Sequence, residues 1–330
     1  MGLPRLSVGS RPIDIIINDH SIRYIEIKPG NPPIPVRWGE RYLPPGLVKE
    51  GKIADEDTLS VILDECIDAW KIRRRKVRFL APDPYVTIRR LAIPDDVQHD
   101  EINGYLNLEI GASIHLPFED PIFDYLALPK TEEKREILLF AANRQYVMKY
   151  SELFSDLKMI PNAVDLSSLA LYRLYHLIKK QKNDEKILVL QFDIDLVVMS
   201  IFENEIPFFM RHQYFPYNEQ EWDIKIGRSG FQQPTFIGDL DELKDHIDDA
   251  LKEVSKLIDF YQYSLHQGKN EINKIVLTGD NPFLDEIKQA LQARFDIAVE
   301  MLEINEMETL KNRPLPRSHY LAFGLALKEV

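Results

Sequence analysis

Two stretches of the chain, residues 13–38 and 187–211, carry the same pattern: an apolar strand, a sharp turn, a second strand, a turn and a third strand. The first copy reads IDIIIND, HSIRYIEIKPG and NPPIPVRW, and the second reads ILVLQFDIDLVVMSIFENEIPFFMR. In each copy a helix and a further strand follow. A repeated meander of this size restricts the chain to two structurally related halves, because each antiparallel unit exposes one apolar face that a following helix must cover. The turns draw attention for a second reason. Neither copy has an Asp-x-Gly sequence at its first turn.

The remaining elements follow from periodicity and punctuation. Strands are predicted at about 13 to 19, 22 to 29 and 33 to 39, and Asp55 caps a helix to about residue 72 that leads into the strand KVRFLAPD. The basic run Lys71 to Lys76 lies at that helix's C-terminus, where cations complement the helix dipole. From residue 86 the character changes to a strand, a helix at about 99 to 112, the strand pair FDYLAL and EILLFAA, and a helix SELFSDLK. A helix at 165 to 180 precedes the second meander. Beyond it come an irregular aromatic-rich stretch to about 237 and a long helix with apolar positions Leu240, Leu243, Ile247, Leu251, Val254, Ile258 and Tyr261. The strand INKIVLTG, a helix near 281 to 293, the strand IAVEML and a helix SHYLAFGLALKEV close the chain.

Composition excludes several classes. The formal net charge of -12 disfavours broad attraction to nucleic acid or anionic lipid. No signal-peptide run, myristoylation pattern or apolar stretch long enough to span a bilayer occurs, so a soluble cytoplasmic protein is expected. The single Cys66 falls on the apolar side of its helix and reads as a core residue. The eight histidines lack metal-ligand spacing and read as structural or surface residues, and Asp241, Asp245, Asp248 and Asp249 read as a solvated helix face. Neither a G-x-G-x-x-G, a Walker loop, H-E-x-x-H nor a G-x-S-x-G elbow is present. Only 14 glycines occur in 330 residues, below the usual fraction of about 7%, and phosphate-cradling loops consume glycine.

Several segments together resemble the PilM family of type IV pilus assembly proteins, relatives of the cell-division protein FtsA. They include LPPGLVKEGKIAD (43–55), FLAPDPYVTIRRLAIP (79–94), HLPFEDPIFDYLAL (115–128), LFAANRQYV (139–147), PNAVDLSSLALYR (161–173), IVLTGDNPFL (275–284) and the closing GLALKEV. The resemblance covers nearly the whole chain, through the order and spacing of these segments. It implies an α/β, actin-like (duplicated ribonuclease H-like) two-lobed fold with a small inserted α/β subdomain. The expected division is a first lobe at 1–88 with return helix 161–185 and C-terminal helix 317–330, an insertion at 89–160, and a second lobe at 186–316 with a helical part at about 213–272. The family works at the inner-membrane pilus platform. Its members bind the short cytoplasmic N-terminal segment of the membrane protein PilN in a groove between the first main subdomain and the insertion, and many bind ATP between the lobes.

The departures from that pattern are informative. Aligned with the family's phosphate loops, Ile16 and Asn18 stand ahead of Ser21 where Asp and Gly are expected, and Gln191 and Asp193 replace the same pair in the second loop. The adenosine loop keeps Gly279 but has Asp280 where a second Gly is usual. Added carboxylates at Asp193 or Asp280 repel a nucleotide unless a cation intervenes. The leading expectation is therefore a non-catalytic scaffold without ATP or magnesium, bound to a PilN-like partner, with self-association left open and the membrane reached only through that partner. Groove residues chosen from the insertion boundary are Leu80, Pro82, Tyr85, Tyr105 and Glu109. Two alternatives stand beside it: an ATP-driven switch in which Asp14, Asp193 or Asp195 takes over metal work, and an FtsA-like membrane tether.

Overall fold

In the computed structural model, residues 11–129, 135–179, 185–216, 218–226, 232–304 and 314–329 are described. The first meander forms β1 (Ile13–Ile17), β2 (Ser21–Lys28) and β3 (Ile34–Tyr42). The short strands β4 (Val48–Lys49) and β5 (Lys52–Ile53) form a turn that delivers the chain to α1 (Glu56–Trp70). Asp55 caps α1 by accepting from Thr58 N at 3.0 Å, as its position ahead of the apolar period requires. The helix buries Leu59, Leu63, Cys66 and Ile67, and Lys71 ends it in the left-handed conformation. Burial pushes the Cys66 thiol up to about 11, which suits a packing residue. Of the basic run, Arg73 pairs with Asp64 and Asp68, and Arg75 pairs with Glu26.

Next come β6 (Lys76–Leu80), β7 (Val86–Ile93), α2 (Ile102–Glu109), β8 (Pro121–Ala127), β9 (Arg135–Asn143), α3 (Arg144–Asp156), β10 (Ile160–Asp165) and α4 (Ser167–Ile178). Strands β10, β6, β1, β2 and β3 make one five-stranded sheet in that order, while β7, β9 and β8 make a separate small sheet with α2 on it. The helix predicted at the end of the insertion packs elsewhere. Val147, Tyr150, Leu153 and Phe154 of α3 join the core built on β1, β6 and α1, because those four apolar residues fall on one face toward Phe79.

The second half repeats the first. Strands β11 (Lys186–Phe192), β12 (Leu196–Glu203) and β13 (Ile206–Tyr214) form the second meander. The stretch read from sequence as irregular contains a hairpin, β14 (Trp222–Ile226) and β15 (Gln232–Phe236), pinned by an edge-on contact of Trp222 with Phe236 at 5.2 Å. After α5 (Leu240–Asp259) a π-helical segment, Phe260–Leu265, ends the long helix. Then β16 (Lys274–Thr278), α6 (Leu284–Arg294), β17 (Ala298–Met301) and α7 (Tyr320–Ala326) complete the chain. The second sheet has the order β13, β12, β11, β16, β17, which matches the first sheet strand for strand. On the far face of α5, Asp241, Asp248 and Asp249 pair with Lys244 and Lys252.

Helices α4 and α7 lie in the core between the sheets. Ala170, Leu171, Leu174 and Tyr175 of α4 share a cluster with Ile16 and Ile25 of the first sheet and Ile187, Val189, Phe202 and Val276 of the second. Tyr172 stacks on Phe202 at 4.0 Å, which adds an aromatic contact to this seam. Gly324 is required here: a Cβ at that position would lie 2.2 Å from the Ala170 carbonyl oxygen, so only glycine lets α7 approach α4. No helix among the described residues is long and apolar enough to cross a membrane.

Candidate functional site

The ends of β1 and β11 face one another across the junction of the two halves, and their turns close with the same bond. Asn18 N donates to Ser21 O and Asp193 N donates to Leu196 O, each at 2.9 Å. Two residues after each turn-opening amide stand His20 and Asp195, 175 positions apart in the chain. Structurally equivalent residues of the two halves are therefore in contact. His20 Nδ1 lies 2.9 Å from Asp195 Oδ2 and Nε2 lies 2.8 Å from Asp280 Oδ2. Both ring nitrogens face carboxylates, so both carry protons and the ring is an imidazolium. Burial pulls the His20 pKa down, but the charges of Asp195 and Asp280 outweigh it and hold it up at about 10.

Arg23 completes the cluster. Its Nη1 is 2.6 Å from Asp280 Oδ2, and its Nε donates to Glu40 of β3. Asp280 also accepts from Ile194 N at 3.2 Å and donates its own N–H to Asp193 Oδ1 at 3.0 Å. Burial opposes ionisation of Asp280, yet Arg23 and His20 hold its carboxyl below the usual range. Burial first, and then the Asp280 charge, push Asp193 well above the usual range, while Gln191 Nε2 donates to its other oxygen. The cations that accompany the carboxylate at Asp280 are thus the protein's own His20 and Arg23, while Asp193 is held by Gln191 and the Asp280 amide.

This arrangement does not fit a magnesium nucleotide. Phosphates bind where backbone N–H groups point outward unpaired. Here the Asn18, Asp193, Ile194 and Asp280 amides all donate within the protein. Ile16 is buried in the interlobe core and Ser21 Oγ is buried without a partner. Gly279 has φ +129°, and a Cβ there would lie 2.1 Å from the Phe192 carbonyl, so packing of β16 on the end of β11 explains this glycine. The cavity left between the turns, lined by Asn18, Asp19, Pro82, Asp193, Asp195 and Tyr214 among others, holds about 60 Å³. Cofactor pockets generally measure about 300–1,000 Å³. Asp14, offered above as a metal ligand, is instead fully buried against Arg78, which grips it at 2.7 and 2.9 Å.

A larger opening lies between the first sheet and the small sheet. It holds about 340 Å³ and is lined by Ile122 and Phe123 of β8, Phe140 of β9, Val147 of α3, Val164 of β10 and Leu169 of α4, with other residues. Both flanking strands, β8 and β10, are the outermost strands of their sheets. At its rim Lys328 Nζ lies 3.4 Å from Asp165 Oδ1, and Arg173 pairs with the same carboxylate. The five groove residues chosen from sequence are not gathered here. Leu80 and Pro82 line the interlobe cavity; the Tyr85 ring lies 4.1 Å from that of Tyr146 with Lys52 over both. Tyr105 packs on the small subdomain's own core, and Glu109 accepts from the Ser113 hydroxyl. Most of the apolar side chains that do line the opening come from five elements between residues 122 and 169, and two of those elements, the FDYLAL strand and β10, end their sheets.

Two matching lobes, a shared apolar seam and a cleft at the paired strand ends define an actin-like protein. The chain belongs to the family described as type IV pilus assembly protein PilM, whose profile matches residues 13–224. A solved PilM-PilN type IV pilus biogenesis complex shares the fold at 20% identity, covering 96% of this chain and 97% of that one with a TM-score of 0.73. A Bacteroides thetaiotaomicron protein of actin-like ATPase fold and unknown function (12% identity, 97% and 99% covered, TM-score 0.46) is also similar. So is MreB5 of Spiroplasma citri bound to ADP (8% identity, 96% and 95% covered, TM-score 0.48). Among curated proteins none matches the chain.

Proposed function

We propose that this chain is a non-catalytic scaffold of a type IV pilus or pseudopilus assembly platform, working on the cytoplasmic face of the membrane. In this reading it binds the short N-terminal segment of a PilN-like membrane protein in the groove between the first sheet and the small sheet. The observation that carries it is the groove itself: an apolar opening of about 340 Å³ flanked by two outermost strands, β8 and β10. An extended peptide can pair with an outer strand through main-chain bonds while its alternate side chains enter the apolar pocket. Membership of the PilM family and the similarity to a PilM-PilN complex support the identity of the partner. The filled cleft supports the absence of catalysis, since His20, Arg23, Asp193 and Asp280 satisfy one another where a nucleotide would need them.

Calorimetric titration with a synthetic N-terminal peptide of the partner tests this reading. Saturable one-to-one binding is expected, weakened about tenfold or more by Ile122→Glu, which sets a carboxylate on the groove wall. No saturable binding by the wild-type protein would sink it.

A further inference from the structure

We infer that His20 and Arg23 of the first lobe, gripping Asp195 and Asp280 of the second, form an ionic latch that holds the lobes closed in place of a nucleotide. In a two-lobed protein whose cleft binds nucleotide, the phosphates are the shared ligand that ties one half to the other. Here the same tie is made by side chains. Asp280 is the hub, taking His20 Nε2 at 2.8 Å, Arg23 Nη1 at 2.6 Å and Ile194 N at 3.2 Å. His20 adds the second strut to Asp195 at 2.9 Å. The His20, Arg23 and Asp280 side chains are only 3 to 4% exposed, and Glu40 fixes Arg23 from behind, so the pairs sit where solvent screens them little.

The latch also explains why the departures from the nucleotide-loop pattern occur together. An acidic residue at 280 in a cleft without cations would be costly to bury, and a histidine and an arginine in a cleft without carboxylates would be equally so. Together they are satisfied, and a phosphate entering the cleft would compete with Asp195 and Asp280 for the same two cations. Lobe closure is then a fixed property of the chain, independent of any cofactor and separate from the peptide groove, which shares no residue with the latch.

The test is the interlobe distance. Spin labels at exposed Asp57 of α1 and Asp245 of α5, each changed to cysteine in a Cys66→Ala background, report it by pulsed electron resonance on the full chain. Without nucleotide, the otherwise wild-type protein should give one narrow distribution. His20→Gln and Asp195→Asn should each shift it to longer distance and broaden it, with far-UV circular dichroism unchanged. Asp195, 14% exposed, is the milder site and decides the matter if His20→Gln does not fold. Distributions for the folded variants that overlay the wild type would overturn the latch.

Discussion

Arg78→Met should lower the stability of the protein by about 3–5 kcal/mol, the cost of leaving one member of a buried ion pair without its partner. Arg78 makes two bonds to Asp14, which is fully buried, and donates to the Ala326 and Lys328 carbonyls. Those carbonyls lie at the C-terminal end of α7, where backbone acceptors lack partners within the helix. One guanidinium therefore joins the first strand of the chain to its last helix. Burial already raises Asp14 to about 6 despite Arg78, so removing the arginine takes away the main compensation for this buried carboxyl. Urea denaturation measures the loss. The double variant Asp14→Asn/Arg78→Met should recover part of it, because the uncompensated charge is gone. A loss below about 1 kcal/mol in the single variant, within the range of an ordinary surface pair, would contradict this account of the pair.

Asp280→Ala is the second large effect, again about 3–5 kcal/mol, since it strips the acceptor shared by His20 and Arg23 and leaves two buried cations with one carboxylate each, Asp195 and Glu40. It also has a pH signature whose sign follows from His20. The folded-state pKa of His20 is raised from 6.5 to about 10, so its contribution is fully present below about 6.5 and is lost as pH rises through about 10. The stability difference between wild type and His20→Gln should accordingly shrink between pH 7 and pH 10. In the Asp280→Ala background that difference should be small throughout, because one of the two charges that hold the ring protonated is missing. A wild-type advantage that stays constant to alkaline pH would show that His20 is not the charged member of the cluster.

The fold was legible where the signal is local. The two meanders announce themselves by strand alternation and by turn residues at Asn18 and Asp193, and the matching strand orders of the two sheets follow from that repeat. The Asp55 cap and the apolar period of α1 likewise lie within a few residues of one another. What escaped was tertiary. The β14 and β15 hairpin is held by Trp222 against Phe236; its first strand, WDIKI, alternates apolar and polar residues, but its second, QQPTF, does not, so the pair was not legible as a hairpin. The helix α3 reads as part of the insertion by sequence order, yet its Tyr150 and Phe154 pack on Phe79 in the core of the first sheet.

The site was legible only in the negative. Ile16, Asn18, Gln191, Asp193 and Asp280 depart visibly from a nucleotide-loop pattern, and two of them demand a cation. That the cations are His20 and Arg23 was hidden, because His20 meets its partners across 175 and 260 positions of chain and looks like any scattered histidine. The groove was hidden for the same reason: its walls come from five elements, and only the sheet order brings them to one opening.

The proposed function rests on a cleft whose His20, Arg23, Asp193 and Asp280 side chains and amides satisfy one another. Calorimetric titration of the full-length protein with Mg-ATP tests this most directly. No saturable heat is expected up to millimolar nucleotide, with stability and peptide affinity the same whether or not Mg-ATP is added. Stoichiometric binding in the micromolar range, abolished by changes at Asp193 or Gly279, would contradict it.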